Sequence, residues 1–224
     1  MPDADRRRAG LTRMQRLRIT FSKTAAMQYT GHLDTHLAWE RTFRRARLPL
    51  AYSQGFHPQP RIQLAAALPL GFTSECEIAD IWLETPHAVG LVESALAAAV
   101  PPGLRVLAVA EAALDARPLQ TMIQSADYDV RVRSSVSAAA LEAACAAVLA
   151  QTTLPRTRRD KAYDLRPLIE TLQYAGAADI GHGLEMRLTA REGATGRPEE
   201  VVAALGCDPA EARYHRRRLL YTAG

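Results

Sequence analysis

Residues 16–21, Arg16-Leu17-Arg18-Ile19-Thr20-Phe21, alternate strictly between polar and apolar side chains. A period of two puts all the apolar residues on one face, as in a half-buried strand. Over residues 34–47 the pattern becomes helical, with Gly31 ahead of it and Leu48-Pro49 as its stop. Residues 62–67 and 78–84 read as the next two strands. Residues 89–100 read as an Ala-rich helix halted by Pro101-Pro102-Gly103, and 105–110 as a closing strand. This order, β-α-β-β-α-β, is the split βαβ or ferredoxin-like plan. The second half repeats it with a strand over 127–133 and an Ala-rich helix over 137–150 capped by Ser137. A strand over 183–190, a helix over 198–205 ended by Gly206 and a last strand over 213–221 follow. Residues 162–172 fit neither period. The expected fold is α+β, two tandem ferredoxin-like (βαββαβ) lobes. A flexible leader covers 1–14, the first lobe 15–113 and the second 127–224.

Composition adds a compartment. At 224 residues, 48% hydrophobic and 23% charged, the chain is an ordinary globular protein with enough length for a real core. No run approaches the roughly 20 apolar residues of a membrane span. The charged start lacks the apolar stretch of a secretory signal. Cys76, Cys145 and Cys207 are far apart and odd in number, which points to reduced thiols in the cytoplasm. Charge changes the picture more. Residues 1–50 hold eleven Lys/Arg against four Asp/Glu, residues 51–150 five against ten, and residues 151–224 twelve against ten. Positive charge gathered toward one end is the footprint of a polyanion partner, or else a solvated basic face.

The candidate chemistry lies between Ser22 and Glu77. His32 and His36 are four apart on one helix face, a spacing that can hold zinc, but Trp39 and Phe43 share that face and no Glu follows His32. No metal is expected. Asp34 reads as an N-cap, or the helix start as an anion site with His32 as a donor or general base. Arg41 and Arg45 share a direction on the helix, while Asp34 can pair with Arg41. Ser53-Gln54-Gly55-Phe56-His57-Pro58-Gln59-Pro60-Arg61 is the strongest local signal. Its glycine frees the backbone and its two prolines fix φ and forbid regular pairing, so it can hold Gln54, His57 and Arg61 in one orientation. Phe56 taken alone reads as an anchor in the core; with the loop as a site, it reads as a base-stacking residue. Asp164-Leu165-Arg166-Pro167 reads as an ion-paired turn, and Arg216, Arg217 and Arg218 alternate faces if they lie in a strand. No GxxxxGK[ST], GxGxxG or clustered cysteine triplet occurs, so no cofactor is expected.

These motifs resemble the radical SAM-linked protein family, a bacterial domain of unknown function found beside or fused to radical SAM proteins. The likeness rests on Phe21-Ser22-Lys23, His32-Leu33-Asp34, Arg41 with Arg44-Arg45, and residues 48–56 from Leu48-Pro49 to Gly55-Phe56. It continues through Pro58-x-Pro60-Arg61, Leu68-Pro69-Leu70-Gly71, Ser74-Glu75 and Glu77, then Asp164-Leu165-Arg166-Pro167 and Asp208-Pro209-x-Glu211-Ala212-Arg213. His57 departs from the asparagine expected after Gly-Phe, and His36 is outside the pattern. The resemblance implies a radical SAM partner that performs the chemistry and a setting among RNA-processing proteins. The leading expectation is therefore an RNA-binding accessory module, not itself an enzyme, that presents tRNA or rRNA to that partner. Lys23, Arg41, Arg45 and Arg61 would meet phosphates, Phe56 would stack, and Gln54 and His57 would give specificity. Two alternatives stand beside it: an RNA-modifying or RNA-processing enzyme using His32, Asp34 and His57, and a protein-only docking domain for the partner.

Overall fold

The computed structural model describes residues 14–158 and 160–222; the expected leader lies outside the described residues except for Met14. The fold is mixed α+β, with a large mixed sheet and five α-helices among the described residues. The chain divides into two compact units. One comprises the described residues through Leu70 together with Cys76–Thr121, and the other comprises Gly71–Glu75 and the described residues from Met122 on. No helix among the described residues is long and apolar enough to cross a membrane.

The first unit runs β1 (Gln15–Lys23), α1 (His32–Arg45), β2 (Ile62–Leu64), β3 (Phe72–Leu83), α2 (Val89–Ala99) and β4 (Leu104–Ala112), with the one-turn α3 (Leu119–Met122) at its end. Its strand order is β2-β3-β1-β4. β1 pairs antiparallel with β4, Ile19 opposite Val109, and β2 antiparallel with β3, Gln63 opposite Asp80. β3 starts six residues before the expected strand at 78, and β2 stops at Leu64, three residues short of the expected end.

The alternation of β1 sorts its two faces. Leu17, Ile19 and Phe21 enter a core with Ala79, Ile81 and Leu83 of β3, Trp39 and Phe43 of α1, and Val92 and Leu96 of α2. Phe21 meets Trp39 edge-on at 4.8 Å, and Trp39 stacks on Phe43 at 5.3 Å, an i,i+4 pair. In the opposite phase, Arg16 and Arg18 converge on Asp80, which is 0% exposed. Arg16 donates to Oδ2 from Nε (3.0 Å) and Nη2 (2.6 Å), while Arg18 donates from Nε to Oδ1 (2.8 Å) and from Nη2 to Oδ2 (2.9 Å). Arg16 also donates to the carbonyls of Ala113, Ala116 and Arg117. The guanidinium carbons of Arg16 and Arg61 each lie 4.7 Å from the Trp82 ring centre.

The second unit runs β5 (Ile123–Val132), α4 (Ala138–Ala150), β6 (Pro155–Arg158), β7 (Lys161–Asp164), β8 (Ile169–Ala178), β9 (Gly181–Arg191), β10 (Ala194–Thr195), α5 (Pro198–Ala204) and β11 (Ala212–Tyr221). Its strand order is β8-β9-β5-β11, all antiparallel neighbours, and β11 takes Phe72–Ser74 of β3 as a parallel partner within this unit. Phe72 stacks on Tyr214 at 4.5 Å. Ser137 caps α4 as expected, its hydroxyl accepting from the Ala140 N–H at 3.3 Å, and Gly206 follows α5 at φ 76°.

The undecided stretch 162–172 divides into the end of β7, a 3-10 turn at Arg166–Leu168 and the start of β8. The expected ion pair in this turn is replaced by bonds to backbone. Asp164 accepts from the N–H groups of Leu154 (2.7 Å) and Arg166 (2.9 Å), and the Arg166 guanidinium donates to the carbonyls of Leu149, Gln151 and Ile169. Such bonds satisfy orphan carbonyls at the end of α4.

Cys145 of α4 is buried, and burial, reinforced by the nearby charges of Cys207 and Glu142, pushes its thiol up to about 11. The unfolded thiol ionises near about 8.5. The native state therefore holds a proton that the unfolded chain loses, and stability falls as pH rises from about 9 toward 11. Urea titrations should show this decline in the wild type and a shallower one in Cys145→Ala. Equal slopes in the two proteins would contradict it.

Candidate functional site

Two features of the first unit gather the residues singled out in the sequence. The first is a hairpin over residues 51–61. Its stem is held by Ala51 N–H to the Trp82 carbonyl (2.7 Å), Arg61 N–H to the Ala51 carbonyl (2.8 Å) and Ser53 N–H to the Gln59 carbonyl (2.8 Å). The Ser53 hydroxyl accepts from the Gln59 N–H at 2.9 Å, and Tyr52 bridges to Pro60. The two prolines thus do not prevent pairing, because neither Pro58 nor Pro60 is asked to donate. Gly55 sits at φ 135°, a conformation that a side chain would strain, with open space around it. Gln54, Phe56 and His57 ride at the tip and are all exposed. Phe56 is 102% exposed, so the reading of this ring as a core anchor is overturned.

Beside the stem lies a groove of about 340 Å³ lined by Glu40, Arg44, Arg47, Tyr52 and Glu84, with Leu48, Pro49 and Leu50. Arg44 is partly neutralised by Glu40 at 2.9 Å. Arg47 holds φ 56° just past α1, where Leu48 N–H closes back onto the Phe43 carbonyl. Neither Arg47 nor Tyr52 was singled out from the sequence as a contact residue. An arginine in the position usually given to glycine is visible only once the helix end is placed.

The second feature is a small cavity of about 10 Å³, room for one water molecule, lined by Phe21, Lys23, His32, Thr35, Leu64, Ala66, Leu68, Glu77 and Ile78. Lys23 is 1% and Glu77 5% exposed. The Lys23 ammonium donates to the carbonyls of Thr30 (2.7 Å) and Gln28 (3.4 Å). His32 is exposed at the first position of α1, and Thr35 turns its hydroxyl back onto the Gly31 carbonyl at 2.9 Å. Lys23 lies in phase with Leu17, Ile19 and Phe21, and Glu77 in phase with Ala79, Ile81 and Leu83. A charge at a core-phase position is a signal that the sequence carried for Glu77 and that the period reading did not use.

The other expected site residues disperse. Gly31, not Asp34, is the N-cap of α1; Asp34 lies in the first turn, where its charge favours the positive end of the helix. No ion pair joins Asp34 to Arg41 among the described residues, and Arg41 is exposed. Arg45 donates to the Ala99 carbonyl from Nε (3.0 Å) and Nη2 (2.7 Å), closing the C-terminus of α2. Arg61 is at the hairpin base, against Trp82, with Nη1 3.8 Å from the Met14 sulfur. The structure thus brings Lys23 and His32 to one cavity and Gln54, Phe56 and His57 to one tip. Among the described residues there is no group of three or more His, Cys, Asp or Glu side chains that could hold a metal ion.

Residues 16–198 match the family described as "Uncharacterized protein conserved in bacteria (DUF2344)", and the chain belongs to that family. None of the curated proteins compared with it matches. Among solved structures 36 chains match. One, in a crystal structure of a Cbf5-Nop10-Gar1 complex, is similar at a TM-score of 0.50 and 9% identity, with 91% of this chain covered. This chain spans 48% of that one, about half its length, and the likeness is one of fold.

Proposed function

We propose that this chain is an RNA-binding accessory module that presents tRNA or rRNA to a radical SAM partner, on two tandem ferredoxin-like units. The fold part is supported by the strand orders β2-β3-β1-β4 and β8-β9-β5-β11, each the spatial order of a split βαβ repeat. The radical SAM part is supported only by the resemblance of the motif residues. The observation that carries RNA recognition is the wholly exposed Phe56 on a hydrogen-bonded hairpin. An aromatic face offered to solvent between Gln54 and His57 suits a splayed base, with the amide and imidazole left to read its edge. The groove at the stem adds Arg44, Arg47 and an exposed Tyr52, which suit the adjoining phosphates. The arginines are partly balanced by Glu40 and Glu84, so affinity rests on stacking as well as charge.

Filter binding of tRNA and rRNA over a salt series tests the reading. Binding at low salt that weakens as salt rises is the expected result, and no affinity for any cellular RNA at low salt would sink it. Phe56→Ala should weaken binding by about 1–3 kcal/mol, roughly 5- to 150-fold, with the thermal midpoint unchanged because the ring packs against nothing. An unaltered affinity would move the contact off the hairpin.

The cavity favours a second reading, an RNA-modifying or RNA-processing enzyme. Buried Lys23 and Glu77 beside His32 are the kind of grouping found at catalytic sites. Asp34 lies two residues from His32, but His57 is on the hairpin and does not line the cavity. Unchanged RNA modification and processing in His32→Ala and His57→Ala strains would remove this reading.

A further inference from the structure

The second unit carries a groove that the hairpin does not use. It has a volume of about 610 Å³ and is built from three stretches: Arg158, Lys161 and Tyr163 of the β6–β7 hairpin, Gly193 to Thr195 around β10, and Arg197 ahead of α5. Arg156 and Arg158 share one face of β6, being two residues apart. Their surroundings differ: Arg156 lies 3.7 Å from Glu200, whereas Arg158, Lys161 and Arg197 enter no ion pair among the described residues. Among the described residues, the only carboxylate lining the groove is Asp164, and its Oδ1 is already accepting from the backbone of Leu154 and Arg166.

Three cations around one open volume repel one another in the free protein, and an anion with several charges relieves that repulsion. A single small anion would satisfy only part of the lining, and a volume of this size exceeds what one phosphate fills. Tyr163 adds a ring, and Thr195 a hydroxyl, to the same wall. Burial, with the Glu200 charge next in size, raises the Tyr163 phenol above its ordinary value, so the ring carries no charge of its own into the groove at physiological pH.

We propose that this groove binds the phosphodiester backbone of single-stranded RNA, with Arg158, Lys161 and Arg197 each neutralising a phosphate and Tyr163 meeting the sugar-base side of the strand. The choice of RNA as the polyanion rests on the reading of the hairpin given above. The groove extends that reading to the second unit and divides the labour: backbone contacts here hold the strand, and base contacts at the hairpin select it.

The test is filter binding of a single-stranded RNA oligonucleotide over a KCl series. It compares wild type, Phe56→Ala, and the triple variant Arg158→Ala/Lys161→Ala/Arg197→Ala. Each lost phosphate contact to a single strand lowers the slope of log K against log salt by about 0.7, so the triple variant should lose about 2 from that slope. Phe56→Ala should keep the wild-type slope while losing affinity. Arg158→Lys/Arg197→Lys, which keeps the charge, should keep the slope as well. Should a thermal melt show the triple variant to be misfolded, Lys161→Ala alone should still lose about 0.7. Wild-type binding with an unchanged slope in the alanine variants overturns the groove and leaves the hairpin reading standing. Absence of wild-type binding overturns the hairpin reading, and the RNA assignment of the groove falls with it.

Discussion

Asp80→Ala should destabilise the first unit by about 3–5 kcal/mol, the cost typical of stranding buried charge. Asp80 is fully buried and accepts four hydrogen bonds from Arg16 and Arg18, three at Oδ2 and one at Oδ1. Its removal leaves Arg16, whose side chain is 1% exposed, with a full charge answered by carbonyl dipoles and the Trp82 ring but no carboxylate from Asp80. Charge, not shape, should dominate the loss. Asp80→Asn, which keeps the volume, should therefore lose most of what alanine loses. Replacing the whole buried pair by apolar residues, Arg16→Met with Asp80→Leu, should recover much of it. Both tryptophans, Trp39 and Trp82, belong to the first unit, so their fluorescence follows its unfolding. A urea midpoint for Asp80→Ala within error of wild type would show that the ion pair is not holding this face.

The second large effect is expected at Lys23. Lys23→Met removes the ammonium from the Thr30 and Gln28 carbonyls and leaves Glu77 buried with one fewer cation lining its cavity. Losing charged hydrogen bonds of this kind and taking a cation from the wall it shares with a buried carboxylate should together cost about 3 kcal/mol. Glu77→Leu alone should also destabilise. The double variant should be less unstable than the sum of the two, because the two opposite charges line one small cavity. Strict additivity would mean that the two side chains share a cavity wall without sharing its electrostatics. Thermal melts of the four proteins close the cycle. Should Lys23→Met lose RNA binding or partner activity while folded, the cavity would join the functional surface.

The period-two and helical patterns were enough to place most elements, because burial on one face writes itself directly into the chain. Ser137 and Gly206 marked helix ends correctly for the same local reason. What the patterns missed depended on distant partners. Residues 1–50 look strongly basic in a window, yet Arg16 and Arg18 are answered by Asp80, Arg44 by Glu40, and Arg45 by a carbonyl of another helix. A window cannot see a carboxylate sixty residues on. Phe56 was misjudged when taken alone because hydrophobicity says nothing of which way a hairpin tip points. That a special loop stands there was legible, since its Gly, Pro and polar residues are crowded beyond what packing asks; that it pairs as a hairpin was not. The basic groove of the second unit was not, because its three cations come from stretches that only the fold assembles.

The small segment Gly71–Glu75 has a consequence for how the chain is made. The first unit draws on no described residue beyond Thr121, so it can close while the rest is still being synthesised. The second cannot. Its last strand, β11, completes the pairing with Phe72–Ser74, and Tyr214 covers the Phe72 ring only then. Until β11 has been made, a strand segment made early waits with its edge unpaired and its Phe72 ring without Tyr214, the kind of surface that recruits chaperones or other nascent chains.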